Sequence, residues 1–411
     1  VTETIRPPRP ANDGACADAR RVVLARGLRT VGYGATSVLL AGMLLEDGCA
    51  PAQIGLLIAV AAAGSVVASM LMGAFADRFG RRRALLASAA LMATAGAMFA
   101  ACESYPLLLL AAFVGTVSPS TNDNTPFSGV EQAILAQTTP DPQHTRVFTA
   151  YNFIALLAGA LGGLIAAALG RQGFVSAGDL AFCLYTVLAA GTFAVCWRLS
   201  PDIEPPPAAP LEVRVANPLP ARVRWLAGLF AVDAFAGGLA VQTMLAWWLH
   251  HRFDATPTQL GLLFFGTNLL SAMSLLAAPA LAARHGLLQT MLVPHATANV
   301  LLLCLPLASG FGLAATLLLA RHALSKIDVP ARQAFVAAIV APVQRTAAAS
   351  LTSVARSVAA CASPVACTAL LSSPVLAAGA PLVIAGVLSM SYDAGLWAAF
   401  RQPATDPSAG Q

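Results

Sequence analysis

Three ionisable residues stand deep inside apolar runs in the second half of the chain: Asp233 in LFAVDAFAGGLA, Arg321 in LLLARHALSK and Arg356 in SVARSVAA. Facing lipid, each would cost about 3 kcal/mol or more, so each must face protein or water. A carboxylate in such a place can bind and release a proton, and an arginine can hold an anionic group. Two readings of Asp233 stay open. It is either a proton-coupling residue or one half of a structural ion pair with Arg321 or Arg356. Arg29 and Tyr33, four positions apart and so on one helix face, join Arg321 and Arg356 as candidate solute-binding residues.

A second group of polar residues lies near the ends of two other runs. Pro119, Asn122, Asp123, Asn124, Thr125 and Pro126 precede Glu131, and Asp328 and Pro330 precede Arg332. The prolines are expected to kink both helices. At a fixed offset of 201 positions, Glu131 overlays Arg332, which puts opposite charges at corresponding places. Asp123, Glu131, Asp328 and Arg332 are therefore candidate gate residues. Against that, Asp328 and Arg332 are four apart and can satisfy each other, or all four can be solvated interfacial charges. His250 and His251 sit beside two tryptophans as interfacial residues do. His295 and His322 lie in apolar runs with no motif around them. The eight cysteines form no CxxC and no metal-ligand spacing with histidine, so no metal and no cofactor is expected. Cys49 and Cys102 fall at outer ends, where a disulfide is conceivable.

The elements that must position these residues are membrane helices. Of 411 residues 57% are hydrophobic and 10% charged, with mean hydropathy +0.72. Soluble domains carry roughly 25% charged residues, so a water-soluble fold is excluded. Runs of roughly 20 apolar residues cross a bilayer as helices. Twelve are found: 22–45, 54–76, 84–102, 106–125, 147–169, 180–198, 223–247, 259–280, 288–308, 312–336, 346–371 and 374–398. Residues 1–21 read as a cytosolic tail, 22–199 and 223–400 as two six-helix bundles, 200–222 as a Pro-rich linker, and 401–411 as a second tail. With the N-terminus inside, 14 of the 24 Lys and Arg fall in cytosolic segments and two, Arg171 and Arg252, in external loops, which fixes the orientation expected from the positive-inside rule.

The halves also repeat each other. APAQIGLL (50–57) matches ATPTQLGLL (255–263), and GAFADRFGRRRALL overlays PALAARHGLLQTML with Gly80 on Gly286. Parallel six-span repeats are a transporter architecture. Between spans two and three stands GAFADRFGRRR, residues 73–83. It resembles the loop signature of the major facilitator superfamily: Gly73, then Asp77-Arg78, Gly80 and the basic Arg81, Arg82 and Arg83. Gly73 would permit close helix packing and Gly80 a tight reversal.

The resemblance implies an all-α fold of twelve transmembrane helices in two pseudo-symmetric bundles that rock about a central site. It further implies that Asp77 braces the halves beside the N-terminus of the eleventh span, with topology anchoring as the alternative role. The second copy lacks the acid and the basic run. No arginine stands in the fourth span, and AGALGG (158–163) matches a glycine-rich antiporter motif only in part.

No P-loop and no nucleophile–base set occurs, so the expected function is secondary transport and not catalysis. The expected partners are a small organic solute, with an anion as one option, protons and the lipid bilayer, without nucleic acid and as a monomer. Export is favoured. Uptake of a similar solute, or a non-transporting sensor or lipid-moving protein of the same fold, stays open. The expected location is a bacterial inner membrane with both termini cytoplasmic.

Overall fold

The computed structural model describes residues 13–115, 117–118, 125–139, 144–204, 221–338, 345–371 and 379–400. Asp123 and its neighbours Pro119, Asn122 and Asn124 lie outside the described residues, as do most of the linker and both tails. Among the described residues the chain is helical without strands. The helices are α1 (Asp13–Glu46), α2 (Pro51–Phe79), α3 (Arg81–Ala101), α4 (Tyr105–Val114), α5 (Pro126–Thr138), α6 (His144–Leu169) and α7 (Phe174–Trp197) in the first half. The second half holds α8 (Ala221–Leu239), α9 (Gln242–Phe253), α10 (Pro257–His285), α11 (Leu287–Cys304), α12 (Phe311–His322), α13 (Asp328–Ala338), α14 (Arg345–Leu371) and α15 (Ala380–Phe400). Among the described residues nine helices are long and apolar enough to cross a bilayer. Shorter apolar helices at Tyr105–Val114, Phe311–His322 and Leu351–Cys367 mark the fourth, tenth and eleventh spans.

The repeat seen in the sequence is a repeat of local geometry. Gln53 returns its side chain to the Ala50 N–H at 2.8 Å, and Gln259 does the same to the Thr256 N–H at 2.9 Å. Gly80 and Gly286, which the alignment pairs, join consecutive helices with φ of 101° and 79°. A side chain at either would be strained.

Three spans are divided, and here the sequence expectation needs correcting. Prolines were expected to kink the fourth and tenth spans. Instead each span is two helices, α4 and α5 or α12 and α13, and the prolines open the second one. Pro126 is the first residue of α5, capped by Thr125, and Pro330 sits in the first turn of α13. Proline suits a first helical turn because its missing N–H would have no partner there. As a result residues 126–138, expected as loop, form the second half of span four and carry Glu131. In span ten the broken turn 323–327 is tied to α10: the Lys326 N–H donates to Ser274 Oγ at 3.2 Å, and Ser271 and Ser325 hydroxyls meet at 3.2 Å. The seventh span breaks between α8 and α9.

Among the described residues the two bundles share their main core at one end, and Phe153 and Leu156 of α6 also pack with Ala272 and Leu275 of α10 farther along. At the end opposite the arginine cluster 78–83, a single core unites Leu40, Leu44, Leu57 and Phe182 of the first half with Trp247, Trp248, Phe264 and Leu305 of the second. There α6 and α10 touch backbone to backbone: a Cβ on Gly163 would lie 2.7 Å from the Phe265 nitrogen, and one on Gly261 would run into Ala167. At the arginine end the cores are separate. One holds Val22, Leu85, Phe127 and Tyr151, the other Val223, Phe230, Met291 and Tyr392. Among the described residues the core is continuous between the bundles at one face and separate at the arginine face.

Candidate functional site

In the first bundle, α1 presents Arg26 and Arg29 to Ser128 and Glu131 of α5. The three-residue spacing on both helices places each pair on one face. Arg29 grips Glu131 with both guanidinium nitrogens, Nη1 to Oε1 at 2.7 Å and Nη2 to Oε2 at 2.8 Å, the two-pronged geometry that makes such pairs strong. Tyr151 of α6 donates its hydroxyl to Glu131 Oε2 at 2.7 Å, and the guanidinium lies 3.9 Å above the Phe127 ring. Arg29 and Glu131 are both 0% exposed. Tyr33 is equally buried, against Tyr185 and Met92. In this conformation neither Arg29 nor Tyr33 offers a surface to a solute, against the expectation from sequence.

In the second bundle the same helices of the repeat build a related cluster with its charges exchanged. Asp233 of α8 accepts from Arg332 of α13 at 3.1 Å and from Arg356 of α14 at 3.2 Å. Arg332 also lies 3.4 Å from Asp328, and both guanidinium groups stand over Phe230. Arg29, Glu131 and Tyr151 correspond to Asp233, Arg332 and Arg356 at offsets of 201 to 205 positions. The base on span one and acid on span four become an acid on span seven and a base on span ten. Unlike its sealed counterpart, this cluster is open at one side: the Arg356 side chain is 33% exposed. Behind Asp233 come His295 of α11, at 3.3 Å, and Asp393 of α15, 2.8 Å from His295.

The structural ion pair anticipated for Asp233 is thus with Arg356 and Arg332. Arg321, the other named partner, makes no ion pair among the described residues, and its buried Nε has no hydrogen-bond partner. Glu131 and Arg332, expected to meet across the two halves, each bond inside their own bundle, because Arg29 and Asp233 on the adjacent helices are nearer.

The loop 73–83 ties together the arginine end of the first bundle. Arg81 donates to Asp77 at 2.7 Å, to Gln137 at 2.8 Å and to the Ile203 carbonyl at 3.2 Å. Glu204 accepts from the Arg81 backbone N–H at 2.6 Å and the Arg82 N–H at 3.2 Å, a carboxylate at the positive end of α3. Arg82 also donates to the Trp197 carbonyl, while Arg78 is exposed. Among the described residues the ion-pair partner of Asp77 is Arg81, and the Asp77 side chain is 64% exposed. Gly73 serves no close approach among them, since a Cβ there would meet nothing within 4 Å. Cys49 and Cys102 both carry free thiols.

Sequence reasoning missed a polar seam at the closed end. Gln242, first residue of α9, donates to Ser37 of α1 at 2.9 Å across the bundle interface and accepts from Asn268 of α10 at 3.3 Å. All three are buried. Its one sequence signal is a glutamine after Gly237-Gly238, inside an apolar span. The Gln242–Ser37 hydrogen bond, about 1 kcal/mol net and positioned by Asn268, would help hold this end shut. Gln242→Ala is therefore expected to raise maleimide labelling of a cysteine placed at Ala246, in a background without native cysteines, by roughly fivefold. Unchanged labelling would show that apolar packing alone keeps the seam closed.

The comparisons agree with this architecture. The family model for the Major Facilitator Superfamily matches residues 22–364. An uncharacterized membrane protein of Saccharomyces cerevisiae is 25% identical over 377 residues, covering 82% of this chain and 84% of that one. Among solved structures, a bacterial homolog of the human lysosomal transporter Spinster, inward-facing and unoccupied, superposes with a TM-score of 0.72 at 13% identity over 95% of this chain and 98% of that one. A D-xylose–proton symporter gives 0.72 at 13% over 92% and 97%, and the human organic anion transporter MFSD10 gives 0.67 at 18% over 95% and 100%. At these identities the structural likeness speaks to fold. The match over most of the chain, its twelve spans and its two repeated bundles place this integral membrane protein in the major facilitator superfamily.

Proposed function

We propose that the protein carries a small organic anion across the membrane by alternating access, exchanging it for protons at the Asp233 cluster. The observation that carries this reading is the open side of that cluster: two arginines share one carboxylate, and Arg356 remains partly exposed. The breaks in spans four and ten support the location. Interrupted helices at corresponding places in two repeats are the features that mark transporter sites. Arg321 and the turn 323–327 lie at the break in span ten. An anion arriving at Arg356 would compete with Asp233 for it, and so alter the charge that Asp233 must balance. Glu131, Asp328 and Arg332 sit toward the arginine end, where the bundles must come together in the other half of the cycle, and Asp77, exposed and paired with Arg81, would there exchange that partner for the start of α14.

The excess of Lys and Arg at the arginine end supports a cytoplasmic location for that end, and on this reading the conformation is the cytoplasm-open one from which export of the solute begins. The test uses proteoliposomes loaded with a pH-sensitive dye under an imposed pH gradient. Citrate, benzoate, glucuronate and a nucleoside monophosphate serve as anions, with an organic cation and a neutral sugar as controls. Proton movement evoked by an anion, and not by the controls, supports the reading. Silence with every compound in tight vesicles overturns it.

A further inference from the structure

His295 lies between two carboxylates and beside an amide, in contacts that belong to different protonation states. Its Nε2 is 3.3 Å from Asp233 Oδ1. Its Nδ1 is 2.8 Å from Asp393 Oδ1 and also 3.1 Å from Asn299 Nδ2, one turn along α11. That amide in turn reaches Asp393 Oδ2 at 3.3 Å. The carboxylate requires a proton on Nδ1, whereas the amide N–H requires a bare Nδ1. The ring can keep its place in both states, but the 2.8 Å contact fits a protonated Nδ1; with Nδ1 bare, the Asp393 carboxylate must swing away, since two acceptors repel.

We propose that His295 is the group that binds and releases the coupling proton, with Asn299 as its positioning residue and Asp233 as a fixed counter-ion. The proposal rests on the proton-coupled reading above. In the neutral state Nε2–H donates to Asp233, and Nδ1 accepts from the Asn299 amide. A proton arriving from water adds to Nδ1. The Nδ1–H then donates to Asp393 Oδ1, and the Asn299 amide turns to Asp393 Oδ2. The Asp393 carboxylate closes on Nδ1 as the proton arrives and withdraws as it leaves by the reverse step.

Asp233 is ill suited to the task. Protonating it would strand Arg356 and weaken the hold on Arg332 in a largely buried place, a costly change. The charges in contact favour the imidazole. Asp233 of α8, Asp328 of α13 and Asp393 of α15 oppose Arg332 of α13 and Arg356 of α14, three carboxylates to two guanidiniums. A proton on His295 brings this ring of contacts to neutrality. Tyr392 of α15 meets the imidazole edge-on at 5.5 Å, and Arg321 of α12 acts on Asp233 electrostatically without an ion pair among the described residues. Protonation also draws together α8, α11 and α15, the helices that carry the two acids and the imidazole. The His295 side chain is 16% exposed, so water reaches it.

The chain has six histidines, few enough for 15N-histidine NMR of the protein in nanodiscs, with His295→Gln assigning the signal. The expected result is a neutral ring protonated at Nε2 in alkali and a doubly protonated ring in acid, with Asn299→Ala raising the share of the Nδ1–H tautomer. In proteoliposomes, with whichever anion evokes proton movement in the wild type, His295→Gln is expected to keep anion exchange at equal concentrations. It should lose tenfold or more of the accumulation driven by a pH gradient.

A ring that stays in one protonation state from pH 5 to 9, or a variant that accumulates within twofold of wild type, overturns the proposal alone. A wild type that moves no protons with any compound overturns the coupled reading and this proposal with it. Should His295→Gln fail to fold, the titration of wild type and Asn299→Ala decides.

Discussion

Glu131→Leu is expected to destabilise the folded protein by about 3–5 kcal/mol, the cost of leaving a buried charge without its partner. Arg29 would remain, fully buried and unable to shed its proton. Arg29→Met is expected to cost less, because the carboxylate left behind can take up a proton and keeps the Tyr151 hydroxyl at 2.7 Å. The double variant Arg29→Met with Glu131→Leu should regain most of the loss, since an apolar pair of similar volume can replace a buried ion pair with little penalty. A thiol-reactive dye provides the measurement. Cys196, in the same core as Tyr151 and Phe127, is buried and becomes reactive when the bundle opens. A midpoint for Glu131→Leu equal to wild type would show that the pair contributes nothing to the fold.

The largest effect on transport is expected at Asp233. Asp233→Asn removes the shared acceptor of Arg332 and Arg356. The fold should survive, because Arg332 keeps Asp328 at 3.4 Å and Arg356 is a third exposed. Flux is a different matter. A change of about 3 kcal/mol in the cluster corresponds to roughly a hundredfold, and anion-evoked proton movement should fall by that much. The charge-mirrored bundles supply a control. Asp233→Arg with Arg332→Glu and Arg356→Tyr copies the Arg29, Glu131 and Tyr151 set into the second half. That triple variant is expected to fold better than Asp233→Arg alone, measured by the same dye, and to move no anion. Anion-evoked proton flux in Asp233→Asn equal to that of wild type would remove the cluster from the transport cycle.

Much of the architecture was legible before any coordinate. The spans could be read because a helix in lipid must satisfy its own backbone, which demands a long apolar run at each crossing. The repeat was visible because Gln53 and Gln259 perform the same cap and Gly80 and Gly286 the same turn. Both tasks depend on neighbours within three or four residues, so they leave a mark in local sequence. Two of the three breaks were legible too. Pro126 and Pro330 pointed at spans four and ten, but their first-turn placement turned expected kinks into helix starts.

The sequence by itself determined that this chain spans a membrane twelve times in two matched halves, with its basic residues gathered at one end. It also named most of the charges that matter: Arg29, Glu131, Asp233, Arg332 and Arg356. Only the tertiary structure decided who binds whom. Arg29 and Glu131 are 102 residues apart, and Asp233 and Arg356 are 123 apart. Such pairings depend on how each helix is rotated about its axis and how far it slides past its neighbour. Apolar runs leave those two degrees of freedom almost unconstrained, because any face of a mostly Ala, Leu and Val helix can meet lipid. Packing of glycines such as Gly163 and Gly261, and the few buried polar contacts like Gln242 to Ser37, fix them. That is why the sealed pair, the open cluster and the His295 bridge became visible only once the helices were assembled.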